Sequence, residues 1–343
     1  MLTKEQYSQI KEELDSCKNP LFFFDDDQDG LCSFLQFYRY KQEGHGIIVK
    51  TTPKIGSVFI PKMREYLPDR IFVLDLSDIE QEFLDEAKSP VIWIDHHSPQ
   101  DRKKVKYFNP RVKDKDDNQP TSYLCYNAIK NDLWIATLGC VADWYIPDFI
   151  SEFEKKFPDL INYDYKSAGD IIYNTKLGVL IRIFSFVLKG KTNEVMKCIK
   201  VLTRITSPLE ILNQSSSQGK FIYKKYMQID ELYQPLLKDF LEKVENEKGK
   251  LVVYIYGDDK MSFTSDLSNE AIYRFPDKVI LIAREKNGDM KCSMRSSKIL
   301  LPQIVQKALA GLNGYGGGHE HACGINVRKD DFEEFVKRLK ELI

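Results

Sequence analysis

Asp25, Asp27 and Asp29 stand at alternate positions and are closed by Gly30, directly after the apolar run Leu21, Phe22, Phe23, Phe24. Carboxylates this close repel one another at neutral pH unless a cation neutralises them, so the stretch predicts binding of a divalent metal. The same pattern opens a calcium-binding EF-hand loop, which needs a bidentate Glu at position twelve and a helix in front. Position twelve here is Gln36 and a strand pattern precedes the loop, so that reading is set aside. A solvated acidic turn fits less well still, because four large apolar residues lead into it. Two more apolar runs end the same way: Ile71 to Leu74 meets Asp75, and Val91 to Ile94 meets Asp95, His96 and His97. Leu138 to Asp143 adds a further carboxylate after Gly139, Cys140, Val141 and Ala142.

These runs are short and continuous, as strands buried on both faces are. Helical patterns at Leu31 to Glu43, Lys62 to Tyr66 and Ile79 to Lys88 separate them, the alternation of a parallel sheet. Side chains at the carboxyl ends of such strands converge on one edge. Asp25, Asp27, Asp29, Asp75, His96 and His97 are therefore expected in one pocket. From Ser151 to Asn246 the pattern is almost wholly helical. A second alternating region begins after Lys248, with strands at Leu251 to Tyr256, Val279 to Arg284 and Met290 to Ser293. Helices are expected there near Asp266 to Arg274, Pro302 to Ala310 and Asp331 to Ile343. The predicted class is α/β: a parallel-sheet domain over 1–150, a helical connector over 151–247 and a smaller α/β domain over 248–343.

At 343 residues the chain is long enough for two domains with real cores. Its formal charge of −1 gives no global attraction to polyanions, so any nucleic-acid contact must come from local basic patches and metal ions. Seven cysteines, an odd number with no C-x-x-C pair, predict reduced thiols. The N-terminus has no signal-peptide core. The longest apolar tract, Leu177 to Leu188, contains Arg182 and is too short to span a bilayer. A soluble, cytoplasmic protein that makes no membrane contact is the expectation.

Five aspartates and one imidazole make a hard, oxygen-rich site that suits Mn²⁺ or Mg²⁺. One octahedral ion could not use so many carboxylates, whereas a bridging Asp could hold two ions roughly 3.5–4 Å apart. Four of the five histidines fall into two clusters, His96 with His97 and His319 with His321. Scattered core or surface histidines would not group this way. Gly316, Gly317, Gly318 and His319 could form a flexible loop, or let backbone amides approach a phosphate. Arg295, in Ser293 to Ser297, could hold a phosphate bidentately. Arg102, Lys103, Lys104 and Lys106, or Lys220, Lys224 and Lys225 with Tyr223 and Tyr226, are candidate strand contacts or equally solvated faces.

As a set, these residues resemble the DHH phosphoesterase superfamily, named for the triad that stands here as Asp95, His96 and His97. Asp25, Asp27, Asp29 and Gly30 are similar to its first motif, Asp75 to its second, the triad to its third, and Gly139 to Pro147 with Asp143 to its fourth. Ser293 to Ser296 and Gly316 to His319 resemble the arginine and glycine-histidine elements of the DHHA1 subfamily. Within the superfamily, Asp25 and the GCVADWYIP stretch are most similar to RecJ, in particular to the compact archaeal RecJ-like exonucleases. Full-length bacterial relatives add an OB-type domain, for which no room is expected beyond Ile343.

The resemblance implies a DHH catalytic domain, a helical connector and a DHHA1 substrate-binding domain. It implies two divalent ions, Mn²⁺ preferred and Mg²⁺ usable. One would be held by Asp25, Asp27 and Asp75, the second by Asp29, Asp75, His96 and Asp143. His97 would face the scissile phosphate and Asp95 would orient a histidine from behind. Arg295, Gly316, Gly317, Gly318 and His319 would grip a neighbouring nucleotide. The activity implied is two-metal hydrolysis of single-stranded DNA or RNA, an exonuclease releasing 5′-mononucleotides, with a helicase or replication or repair protein as partner. The alternatives are a nanoRNase or linear dinucleotide phosphodiesterase acting on short oligonucleotides, and a non-catalytic replication scaffold like Cdc45.

Overall fold

Leu21, Phe22, Phe23 and Phe24 are all fully buried, as a strand covered on both faces requires. In the computed structural model, which describes residues 1–50, 54–257, 259 and 261–343, the chain divides into two compact units, Met1–Tyr226 and Met227–Ile343. The first opens with α1 (Lys4–Ser16), started by a reciprocal cap between Thr3 and Gln6. It continues through β1 (Pro20–Asp25), α2 (Gln28–Lys41), β2 (His45–Val49), β3 (Lys54–Ile55), α3 (Ile60–Tyr66), β4 (Arg70–Leu74), β5 (Asp78–Ile79), α4 (Gln81–Glu86), β6 (Val91–Ile94) and β7 (Lys106–Phe108). Five of these strands form one parallel sheet in the order β2-β1-β4-β6-β7. β7 has only three residues, too few to show a period, and the sequence places no strand there.

Successive residues of β1 enter opposite layers. Leu21 and Phe23 join Ile71, Val73, Val91 and Trp93 in a core with Ile60 and Met63 of α3 and Phe83 and Leu84 of α4. Phe22 and Phe24 turn instead to α2, where Phe24 stacks on Phe34 at 4.4 Å and Phe22 meets the same ring edge-on at 5.7 Å. The strand order reverses at β1, with β2 on one side and β4 on the other. A parallel sheet opens its ligand crevice outside the carboxyl ends of the strands at such a point. Asp25 ends β1 and Asp75 follows β4 there.

The start of α2 lies tight against the end of β1. A Cβ on Gly30 would stand 2.8 Å from both the backbone N and O of Asp25, so only glycine lets the helix begin in this place. Gly30→Ala is expected to cost roughly 1–3 kcal/mol. It should also weaken divalent-metal uptake, because the displaced turn carries Asp27 and Asp29. A thermal melt and a Mn²⁺ titration check this, and an unchanged melting temperature would mean that the helix start yields freely.

Helices complete this unit: α5 (Thr121–Ile129), α6 (Leu133–Ala142), α7 (Ile150–Lys156), α8 (Ala168–Asn174), α9 (Lys176–Val187), α10 (Thr192–Leu202), α11 (Pro208–Leu212) and α12 (Ser217–Asn246), whose residues fall in both units. The helical texture expected from Ser151 to Asn246 is what the chain forms. No helix among the described residues is long and apolar enough to cross a membrane. All seven cysteines are free and buried.

The second unit holds β8 (Leu251–Tyr256), α13 (Thr264–Arg274), β9 (Val279–Lys286), β10 (Asp289–Ser296), α14 (Leu301–Leu309), β11 (Gly314–His319), β12 (Ala322–Arg328) and α15 (Phe332–Leu342). Its sheet runs β11-β12-β10-β9-β8, antiparallel except for the parallel pair β8 and β9. Met294, Cys323, Ile325 and Val327 pack with Leu301, Val305 and Ala308 of α14 and Phe335 and Leu339 of α15. The glycine run is an edge strand, β11, and not a loop. Glycine has little strand preference of its own, and pairing with β12 imposes the extended form.

Candidate metal centre

Each carboxylate of the first unit is positioned by a different local device. Asp25 ends β1, and its Oδ1 accepts the Asp26 amide at 2.8 Å. Asp27 caps α2 and accepts the Gly30 amide at 2.9 Å. Asp29, in the first turn of α2, is 2% exposed. It accepts the amides of Thr121 at 2.7 Å and Ser122 at 2.9 Å, at the start of α5. Unpaired amides and the helix dipole together hold a carboxylate well there. Asp75 adopts φ +61°, a left-handed turn that aspartate tolerates better than most residues. Its amide donates to the Ile94 carbonyl and its Oδ1 accepts the Thr121 hydroxyl at 3.1 Å. His96 follows β6 and brings Nε2 within 3.4 Å of Asp75 and 3.7 Å of Asp143, the residue that closes α6.

Three sets of ligand atoms each gather within 4.8 Å: Asp25, Asp27 and Asp75; Asp29, His96 and Asp143; and Asp75, His96 and His97. Asp75 belongs to the first and third sets and borders the second through His96, whose Nε2 lies 3.4 Å away. Asp29 and Asp75 are sealed from solvent, while the Asp143 side chain keeps 35% of its surface. Burial, and then the charges of Asp29, Asp27, Asp25 and Asp143, push the Asp75 carboxyl well up. Burial and neighbouring carboxylates push Asp25 and Asp143 the same way. Asp29, buried beside Asp27, is pushed up to about 7. A cluster that holds its charge so badly alone is what a divalent cation relieves, and its oxygen-rich donors with one imidazole fit Mn²⁺ or Mg²⁺.

His97 is held differently. Its Nδ1 lies 2.7 Å from Asp95 and its amide donates to the other oxygen at 3.2 Å. With Nδ1 engaged by Asp95, the chemistry of the ring falls to Nε2. Burial disfavours the imidazolium, but the hydrogen bond and charge of Asp95, with Asp27 and Asp25 beyond, push the ring up to about 9. Asp95 is itself fully buried and also receives Asn109 Nδ2 at 3.2 Å and the Tyr107 hydroxyl at 3.3 Å.

In the second unit Arg295 lies inside β10, its Nε donating to Asn269 at 2.7 Å. The register places Arg295 opposite Ala322 and Ala322 opposite His319, so all three share one row and one face of the sheet. Gly317 pairs with Gly324 and Gly318 with Cys323, and a Cβ at Gly317 would meet nothing within 4 Å. The basic stretch after the triad has other work. Arg102 pairs with Asp78, Lys104 with Asp85 and Lys106 with Glu13. Tyr226 is buried and Lys225 pairs with Glu194, so the second candidate patch is also partly taken up by the fold.

Residues 21–169 match the model of the DHH family, N-terminal domain, and residues 247–343 match that of the DHHA1 domain. The chain belongs to the DHH/DHHA1 phosphoesterase superfamily. Its fold is similar to that of RecJ from Thermus thermophilus in complex with Mn²⁺, with 15% identity and a TM-score of 0.70 over 98% of this chain and 54% of that one. The chain thus spans about half the length of that protein. It is also similar to an exonuclease RecJ bound to manganese, at 15% identity and a TM-score of 0.64, covering 98% of this chain and 93% of the other. The DHH domain of a member of a ribosomal-protein family gives 14% identity and a TM-score of 0.66, covering 98% and 90%. Against curated protein sequences the chain has no match.

Sequence reasoning missed four residues around the DHH centre: Thr121 and Ser122, whose amides hold Asp29, and Tyr107 and Asn109, which hold Asp95. Asn109 before Pro110 and Thr121 after Pro120 read as ordinary turn and helix-start signals. Nothing in that local pattern says that their partners lie far away in sequence.

Proposed function

We propose that this DHH/DHHA1 protein is a divalent-metal-dependent phosphodiesterase that shortens single-stranded DNA or RNA from an end and releases 5′-mononucleotides. The observation that carries the reading is the junction of two ligand groups at Asp75, with His97 beside them. Bound there, a pair of Mn²⁺ or Mg²⁺ ions would neutralise the phosphoryl group and activate water. Asp25, Asp27 and Asp75 would hold one ion, and Asp29, Asp75, His96 and Asp143 the other. His97, its ring fixed by Asp95, would present Nε2 to the charge that develops on the phosphoryl oxygens. Asn109 and Tyr107 would keep Asp95 in place, so the ring needs no reorganisation as charge develops. In the second unit, Arg295, Gly316, Gly317, Gly318 and His319 would take a phosphate of the substrate.

The test is a Mn²⁺-dependent time course on end-labelled single strands of about twenty nucleotides, longer than one typical binding site, beside dinucleotides. Stepwise release of mononucleotides from the long strands supports an exonuclease, and the label position gives its polarity. Cleavage of dinucleotides alone would move the protein to a short-oligonucleotide phosphodiesterase. No cleavage of either, with Mn²⁺ bound, would favour a scaffold of the Cdc45 kind.

A further inference from the structure

The residue after the candidate ligand Asp143 is Trp144, and its backbone is in the left-handed region at φ +60°. α6 ends there in a regular stop: the Trp144 amide donates to Val141 and the Tyr145 amide to Cys140, at 3.0 and 2.9 Å. That stop calls for glycine or asparagine at the left-handed position, since a Cβ is disfavoured there. The chain instead carries its bulkiest side chain, and leaves it 41% exposed. Trp93 and Trp134 are buried. Tyr173 of α8 supplies a second ring with its centroid 6.3 Å away, tilted by 55°. A large residue in a disfavoured conformation, partly open to solvent and bonded to a metal-cluster residue, is a costly choice for a helix stop that glycine makes more easily.

We propose that Trp144, flanked by Tyr173, is a stacking platform for a nucleobase of the single strand, beside the metal cluster. The inference rests on the nucleic-acid reading above. A base lies a few ångströms from its own phosphate, so a strand seated at Asp143 brings a base to the next residue along. Stacking on an indole is indifferent to base identity, which suits an enzyme that must accept every nucleotide in turn. Trp144 is thereby a positioning residue, and no bond is made or broken at it.

The test uses the Mn²⁺-loaded His97→Ala protein, so that the strand is not consumed. It is titrated with an oligodeoxynucleotide of about twelve nucleotides, within the span of a single-strand site, and with the same backbone bearing abasic positions. The base-bearing strand is expected to quench tryptophan emission and to bind about tenfold tighter than the abasic one, the preference that one stacked base provides. Adding Trp144→Gly should erase that preference while Mn²⁺ uptake stays intact, because glycine keeps the helix stop; Trp144→Phe should restore most of it. Undiminished affinity in Trp144→Gly overturns the proposal, as does an equal loss for both strands, which would make the indole merely structural. Base-independent binding by the His97→Ala protein overturns the stacking alone, whereas no binding of either strand overturns the nucleic-acid reading and the platform with it.

Discussion

Asp75→Ala is expected to weaken metal uptake severely at both positions, because Asp75 belongs to one ligand group and borders the other through His96. A Mn²⁺ titration by calorimetry should show the apparent affinity reduced by roughly 100-fold or more, beyond the 10- to 100-fold that even outer-shell changes cost. Turnover should vanish with it. Asp75→Asn is the sharper variant, since asparagine accepts the +61° φ that alanine resists. Its effect on stability should change sign with conditions. Without metal, Asp75 is buried among four other carboxylates whose repulsion and desolvation it aggravates. Removing its charge should therefore stabilise the metal-free protein by on the order of 1–2 kcal/mol. With Mn²⁺ present, the same variant should melt below the parent, because the stabilisation from ligand binding is lost. Unchanged two-site Mn²⁺ binding would remove Asp75 from the centre of the scheme.

His97→Ala is expected to separate binding from chemistry. Its Nδ1 is held by Asp95, so in the proposed reaction its part would be the proton at Nε2 and not the capture of an ion. Loss of one preorganised donor aimed at developing charge costs about 10²–10³ in kcat. Mn²⁺ uptake should stay at the parent level. A variant that keeps more than about a tenth of the parent rate, a loss under roughly 1.4 kcal/mol, would contradict this role. If Mn²⁺ uptake falls instead, His97 acts as a third ligand beside Asp75 and His96, which its position would also allow.

The sequence by itself determined which residues end the strands. Leu21 to Phe24, Ile71 to Leu74 and Val91 to Ile94 are runs that only a doubly covered strand can bury, and each stops at a carboxylate or at the triad. Parallel order then follows from the helices between them, and with it one shared edge for Asp25, Asp75 and His96. That inference needs nothing beyond local periodicity. The helical run after Ser151 was legible for the same reason.

The tertiary structure alone decided what each side chain touches. Asp29 is held by amides 92 and 93 residues away, and Asp95 by Asn109 and Tyr107. No local pattern encodes such pairs, because turn and cap signals specify the backbone at one place and not the partner that arrives there. β11 is a strand because β12 supplies its hydrogen bonds, against the preference of a glycine run. The basic residues after the triad read in sequence equally as strand contacts or as a solvated face, and only the fold pairs Arg102 and Lys106 with Asp78 and Glu13. Trp144 reads in sequence as one more aromatic, and only the fold reveals it in a left-handed helix stop beside Asp143. Composition and spacing specify which groups reach an edge, whereas distances between remote residues are set by how the layers pack.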